Sequence, residues 1–234
     1  TDLAFILHHS RDLSPTQVSQ LEARLKRHPK VLETRARLIG FYEGQQFRSE
    51  EGRLAHARHS LWVIREQPRS VLAAQSAIKL EPRLGRDAYD AAAKLWREHL
   101  ARASFDASLY ENAARFLIPH EKDMVVDILT RAAAADSGNP LWPELLGQLY
   151  WLHRHPASSP EEQREAASRA HAGYERALGL TKREIDGFYL LNDAAETAIA
   201  AGLLEKARAH AMKLLTLAPR YRSNWNYGNA IHDG

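Results

Sequence analysis

Apolar and polar positions succeed one another along this chain with the period of a helix. Val18, Leu21 and Leu25 fall three and four positions apart, as do Leu54, Ala57, Leu61 and Ile64, the spacing that gathers side chains on one helical face. No run of β-branched residues alternates with polar ones over strand length, so no sheet is predicted. Turn signals set the boundaries. Ser14-Pro15 opens a helix over 14–28 with a capping residue followed by proline at the first helical position. Pro29 begins its partner, carrying Leu32, Ala36 and Ile39 and ended by Gly44. A long helix is predicted over 50–67, with Trp62 beside its apolar stripe and Pro68 as its stop. A shorter helical stretch over 70–80 is cut by Pro82 and Gly85. Further helices are expected over 87–103, 106–118, 121–135, 140–153, 160–178, 183–201 and 203–217.

These helices come in pairs, and the pairs keep step. Ala57 with Leu61, Ala91 with Leu95 and Val125 with Leu129 succeed one another at intervals of 34, and Ala113 with Phe116 returns at the same interval as Gly147 with Tyr150. A repeat of about that length is the mark of stacked helical hairpins. Small residues let paired helices approach, and large ones fill the gap to the next pair. Trp142, Leu145, Leu146, Gly147 and Tyr150, followed by Ala170, Tyr174 and Ala177, resemble the tetratricopeptide repeat. The next hairpin reads Leu191, Ala194, Ala195 and Ala198, then Gly202 at the turn, then Ala207, Ala211, Leu214 and Pro219. The resemblance implies an all-α fold, a right-handed α-α solenoid of tetratricopeptide-like hairpins. Residues 1–13 are then an N-terminal extension, 14–221 the repeat domain and 222–234 the start of a further, truncated repeat. His59-Ser60-Leu61-Trp62, Asn112-Ala113-Ala114-Arg115-Phe116 and the segment from Asn224 to His232 are also similar to a group of uncharacterised bacterial helical-repeat proteins.

Composition narrows the functional classes. Cysteine is absent, which excludes disulfides, thiolate metal sites and cysteine nucleophiles. Hydrophobic residues make up 44% of the chain and charged residues 26%, the balance of a folded domain, and no apolar run has the length of a membrane span. The 32 Lys and Arg are nearly matched by 29 Asp and Glu. Residues 1–70 hold twelve Lys/Arg against eight Asp/Glu, a mildly basic start. The chain begins at Thr1, so the compartment stays open between bacterial cytoplasm and export after removal of an upstream leader.

Candidate chemistry is sparse. No zinc-protease helix, phosphate-binding glycine loop, dinucleotide fingerprint or nucleophile elbow is present, so no catalytic residue, metal or cofactor is expected. His56 and His59 stand three apart on one helix, a metal-compatible spacing, but read better as surface or interface histidines because no third ligand accompanies them. His153 and His155 flank Arg154 at a helix end, where the dipole favours cations. The expected function is non-catalytic binding of a protein or peptide. In the resembled solenoid the first helix of each hairpin lines the concave side, which places Arg37, Tyr110, Glu144, Gln148, Trp151, Tyr189, Asn192 and Glu196 there. Asn224, Trp225 and Tyr227 add an amide and aromatic cluster with the same potential. The alternative is nucleic-acid binding through Arg24, Lys26, Arg27, Lys30, Arg35 and Arg37.

Overall fold

A computed structural model describes residues 2–154 and 159–232, with side chains described through Pro219. Its described residues contain eleven α-helices and no strand. They are α1 Leu3–His8, α2 Pro15–Arg27, α3 Leu32–Gln45, α4 Glu50–Glu66, α5 Arg86–Arg102, α6 Ala107–Leu117, α7 Lys122–Ala135, α8 Leu141–Leu152, α9 Pro160–Leu180, α10 Glu184–Ala200 and α11 Leu204–His232. Helices next to one another in sequence pack together: α2 on α3, α3 on α4, α4 on α5, α7 on α8, α8 on α9, α9 on α10 and α10 on α11. The chain divides into two compact units, Thr1–Phe116 and Leu117–Gly234. No helix among the described residues is long and apolar enough to cross a membrane.

In the first unit, residues 3–8, expected only as part of an N-terminal extension, form a helix. Asp2 caps it through the N–H groups of Ala4 and Phe5, and Ile6 and Leu7 are buried where α1 packs against α3. Ser14 and Gln17 close a reciprocal capping box on α2. Val18 and Leu25 of α2 then pack with Leu38 of α3, and Leu21, Phe41 and Tyr42 flank them.

The stretch over 70–80 is not an α-helix. It forms two 3-10 turns, Val71–Ala74 and Ser76–Ile78, separated by Gln75 in extended conformation. Burial of Leu72, Ala73, Ala77 and Ile78 holds it. Each turn buries two consecutive residues, Leu72-Ala73 and Ala77-Ile78, and is too short for a continuous helical ladder.

The expected stripe on α4 is also rotated. Leu54 is 60% exposed, and the buried face keeps Ala57 and Ile64 of the expected stripe but runs mainly through Ala55, His56, His59, Ser60 and Val63. On α5 the buried residues are Tyr89, Ala92, Ala93, Trp96 and Leu100, while Ala91 faces solvent. Ala57, Ala91 and Val125 are therefore not equivalent. The buried positions that correspond between α5 and α7 are Tyr89 with Val125, Ala92 with Ile128, Ala93 with Leu129 and Trp96 with Ala132, a spacing two longer than the letters suggest.

Two histidines each reach a backbone carbonyl 35 positions earlier in the chain. His99 Nε2 donates to the carbonyl of Ile64 at 2.9 Å, and His153 Nε2 donates to that of Ile118 at 2.7 Å. Both carbonyls lie at the close of a helix, α4 and α6, where backbone acceptors lack intrahelical partners. His153 thus serves another helix's end, not only its own; its companion His155 lies outside the described residues.

In the second unit, Gly202 makes the α10–α11 turn with φ of 77°, the left-handed conformation that costs glycine least. Ala207, His210 and Leu217 bury the inner face of α11, and Ala211 is exposed. The helix does not end near residue 217 but continues past Pro219.

Candidate partner-binding face

The second unit is built around a close crossing of α8 and α9. Trp142, Leu145 and Leu149 of α8 and Ala170 and Ala177 of α9 are fully buried. At the crossing point two glycines face each other. A Cβ on Gly173 would lie 2.7 Å from both the Gly147 nitrogen and the Pro143 oxygen, and one on Gly147 would lie 3.1 Å from the Ala170 oxygen and the Tyr174 ring. The two backbones touch because neither residue has a side chain. The Gly147 position follows from the repeat pattern; Gly173 carries no such mark, since a glycine inside a helix reads as a weak spot until its neighbour is known.

This crossing brings Tyr174 into a cluster with Ala170, Ala177, Leu190 and Ala194, and Tyr150 and Trp151 pack against it. Polar side chains of α8 and α10 surround the phenol. Burial drives the Tyr174 pKa upward, and the charges of Asp193, Glu144 and Glu196 push it in the same direction. Asp193 is itself raised above the usual carboxylate range, by burial and then by the like charge of Glu196, against a hydrogen bond from Asn192. Each helix also carries an amide beside its carboxylate. Gln148 donates to Glu144 at 3.1 Å, and Asn192 approaches Glu196 at 3.5 Å. The face gathers three carboxylates with amides and aromatic rings beside them, and cations lie over its outer rings, Arg169 and Lys122 over Tyr150.

Of the residues proposed from sequence, Glu144, Gln148, Trp151, Asn192 and Glu196 are gathered here. Tyr189, on α10, is 53% exposed, and the Arg154 guanidinium lies 3.6 Å over the Trp151 ring. Arg37 belongs to the first unit, where it pairs with Glu33 at 3.2 Å across one helical turn. Tyr110 is turned into the first unit's interior. Only 3% exposed, it packs against Phe105, because its position on α6 faces inward. Asn224, Trp225 and Tyr227 lie outside the residues whose side chains are described.

The first unit holds a different polar feature, an open groove of about 950 Å³ between α2, α3 and α4. His59 is 2% exposed. Arg35 donates to its Nδ1 at 3.0 Å, so the ring proton sits on Nε2, 2.9 Å from Glu22. Glu22 also accepts from Arg58 at 2.8 Å and from the Tyr42 hydroxyl at 3.3 Å. The Arg35 guanidinium lies 3.7 Å over Trp62 and donates to the Pro29 carbonyl. Burial sets the electrostatics. It pushes Arg35 down to about 10 and Tyr42 up to about 12, and it lowers His59 despite Glu22. Burial works against the Glu22 carboxylate as well, but His59, Arg58 and Tyr42 together bring its pKa below the ordinary value.

Of the surface and interface readings of the histidine pair on α4, the interface one holds. His56, 1% exposed, donates to the Ala77 carbonyl at 2.7 Å, which holds the second 3-10 turn, while His59 belongs to the charged network. The basic residues of α2 and α3 do not share one surface either. Arg35 is buried, Lys26 lines the groove, and Arg24, Arg27 and Arg37 line a separate shallow pocket.

No protein family, curated protein or solved structure matches the chain.

Proposed function

We propose that this chain is a non-catalytic binding protein built from tetratricopeptide-like helical hairpins, and that it holds a lysine- or arginine-rich segment of a partner protein against the face formed by α8 and α10. The observation that carries the reading is the convergence of Glu144, Asp193 and Glu196 around the buried Tyr174, with Gln148 and Asn192 beside them. A carboxylate held above its ordinary pKa by burial and then by like charge gains from an incoming cation, since an opposite charge relieves the repulsion. The exposed ring of Tyr189 and the half-buried ring of Trp151 add apolar area of the kind that anchors partners. The hairpin reading draws support from the buried Trp142, Leu145, Gly147, Ala170, Tyr174 and Ala177 and from two histidine bonds that each span 35 positions, close to one repeat length.

The test is a titration of the intact chain with a lysine- and arginine-rich peptide and with a glutamate-rich peptide of equal length. The basic peptide binds, its affinity falls as salt rises, and the Glu144→Lys, Glu196→Lys double variant loses at least about tenfold, the scale of one desolvated charge pair. Equal affinity of the variant and the parent chain sinks the reading. Titration with single- and double-stranded RNA and DNA decides the nucleic-acid alternative: micromolar binding with a steep salt dependence favours it, and no binding at low salt removes it.

A further inference from the structure

Away from the α8–α10 face, three potential metal ligands meet between α9 and α11. His171 and Glu175 stand one turn apart on α9 and so share a face, and His210 reaches them from α11. One donor atom from each lies within 4.8 Å of the other two. His210 Nε2 is 3.0 Å from Glu175 Oε1, and the two imidazoles meet edge to face with centroids 5.5 Å apart.

The hydrogen bonds explain the helix contact only in part. His171 Nδ1 donates to the Ala194 carbonyl at 3.1 Å. That bond fixes the tautomer and leaves the Nε2 lone pair directed away from α10. The residue is 2% exposed, yet Nε2 has no hydrogen-bond partner. His210 Nε2, equally sheltered, makes no hydrogen bond either, its approach to Glu175 being poorly aligned. Buried polar atoms are rarely left this way. Two such nitrogens beside one carboxylate are the arrangement a metal ion satisfies, and an imidazole whose other nitrogen is tied to a backbone carbonyl is the usual form of a ligating histidine.

We propose that His171 Nε2, His210 Nε2 and the Glu175 carboxylate bind a zinc ion that ties α11 to α9. Two imidazoles and a carboxylate suit zinc in ligand type and number, with a water completing the tetrahedron. Bonds of about 2.1 Å put neighbouring donors about 3.4 Å apart, so the site closes by small side-chain rotations. Glu175 is 39% exposed, which provides the entry path and the water position. Lys206 Nζ lies 3.9 Å from Glu175 Oε2. It orients the carboxylate through the oxygen the ion does not need, and its charge moderates the affinity.

Zinc chloride titrated into the chelator-stripped intact chain, read against a chromogenic chelator, tests the proposal. One zinc per chain binds at micromolar or tighter dissociation constant, and zinc raises the melting temperature. Glu175→Gln and His210→Gln each weaken binding by at least about tenfold and abolish the rise, while retaining helical circular dichroism. Cobalt substitution gives the visible absorption of a four-coordinate ion in the parent chain and not in the variants. Zinc affinity that is the same in both variants as in the parent overturns the site, because the remaining histidines then account for it. If those variants fail to fold, Lys206→Met decides: tighter zinc binding supports the site, and unchanged affinity counts against it.

Discussion

Two helix junctions of this protein solve the same packing problem with opposite chemistry. At the α8–α9 crossing, Gly147 and Gly173 remove every atom that would keep the backbones apart. In the α2–α3–α4 groove, Arg35, His59, Glu22 and Arg58 bridge the helices with charged and polar groups, each hydrogen-bonded to another. The first junction gains dispersion and burial and depends on shape alone. The second must offset the desolvation of its charges through mutual bonds, so it depends on protonation as well as fit.

Filling the glycine crossing gives the largest effect. Gly173→Ala puts a methyl within 2.7 Å of two backbone atoms, which cannot rotate away. Overpacking costs about 3 kcal/mol, offset by about 1 kcal/mol of helix propensity, for a net loss of about 2 kcal/mol. Gly179 lies on the same helix, and a methyl there would have nothing within 4 Å, so Gly179→Ala stabilises by about 0.5–1 kcal/mol. Urea unfolding of both variants checks the pair. A stabilised Gly173→Ala would mean that the helices can separate without cost and would erase the contrast.

The same contrast explains how much the sequence discloses. Gly147, Ala170 and Ala177 are readable as packing positions because small residues stand where a tetratricopeptide-like hairpin would need them, and Glu144, Gln148, Asn192 and Glu196 are readable from helical register, whereas Asp193 carries no such mark. Helix bounds follow from caps and prolines such as Ser14-Pro15. Polar junctions leave no such trace. His56 and His59 have the same letters whether they sit in solvent or under a 3-10 turn, and their partners Ala77 and Glu22 are about twenty and nearly forty positions away. The two-position difference between the apparent repeat and the buried faces of α5 and α7 arises because alanine fits on either side of a helix. Ala91 keeps the period without contributing to the core.

Lowering the pH probes the charged junction at intermediate size. The folded His59 pKa lies below its ordinary 6.5, so as pH falls through that value the unfolded chain takes up protons first. Stability present above it is lost until the folded pKa is reached. Glu22, also lowered, adds a loss below its ordinary 4.5. His56 and His171 act as His59 does, whereas Asp193, raised, gains stability on acidification. Denaturant unfolding from about pH 7.5 to about 5.5 therefore shows falling stability. His59→Gln retains an amide donor and acceptor and reduces that slope by at most about 1.4 kcal/mol per pH unit, the limit for one proton. A slope unchanged in His59→Gln would place the titration elsewhere and leave the groove no more pH-sensitive than the glycine crossing.

The smallest effect compares one motif in both settings. Ser14 and Ser159 each precede a proline and each exchange hydrogen bonds with the third helical residue, Gln17 on α2 and Glu162 on α9. Replacing either serine with alanine costs about 1 kcal/mol. The α9 box is the stronger, because the charged Glu162 accepts both the Ser159 N–H at 2.9 Å and its hydroxyl at 3.0 Å and faces the positive end of the helix. Glu162→Gln therefore costs a few tenths of a kcal/mol, and in that background Ser159→Ala matches Ser14→Ala in denaturant midpoint shift. Equality before the glutamate is replaced would show that the charge contributes nothing. The caps would then be the one element on which the two parts of the chain do not differ.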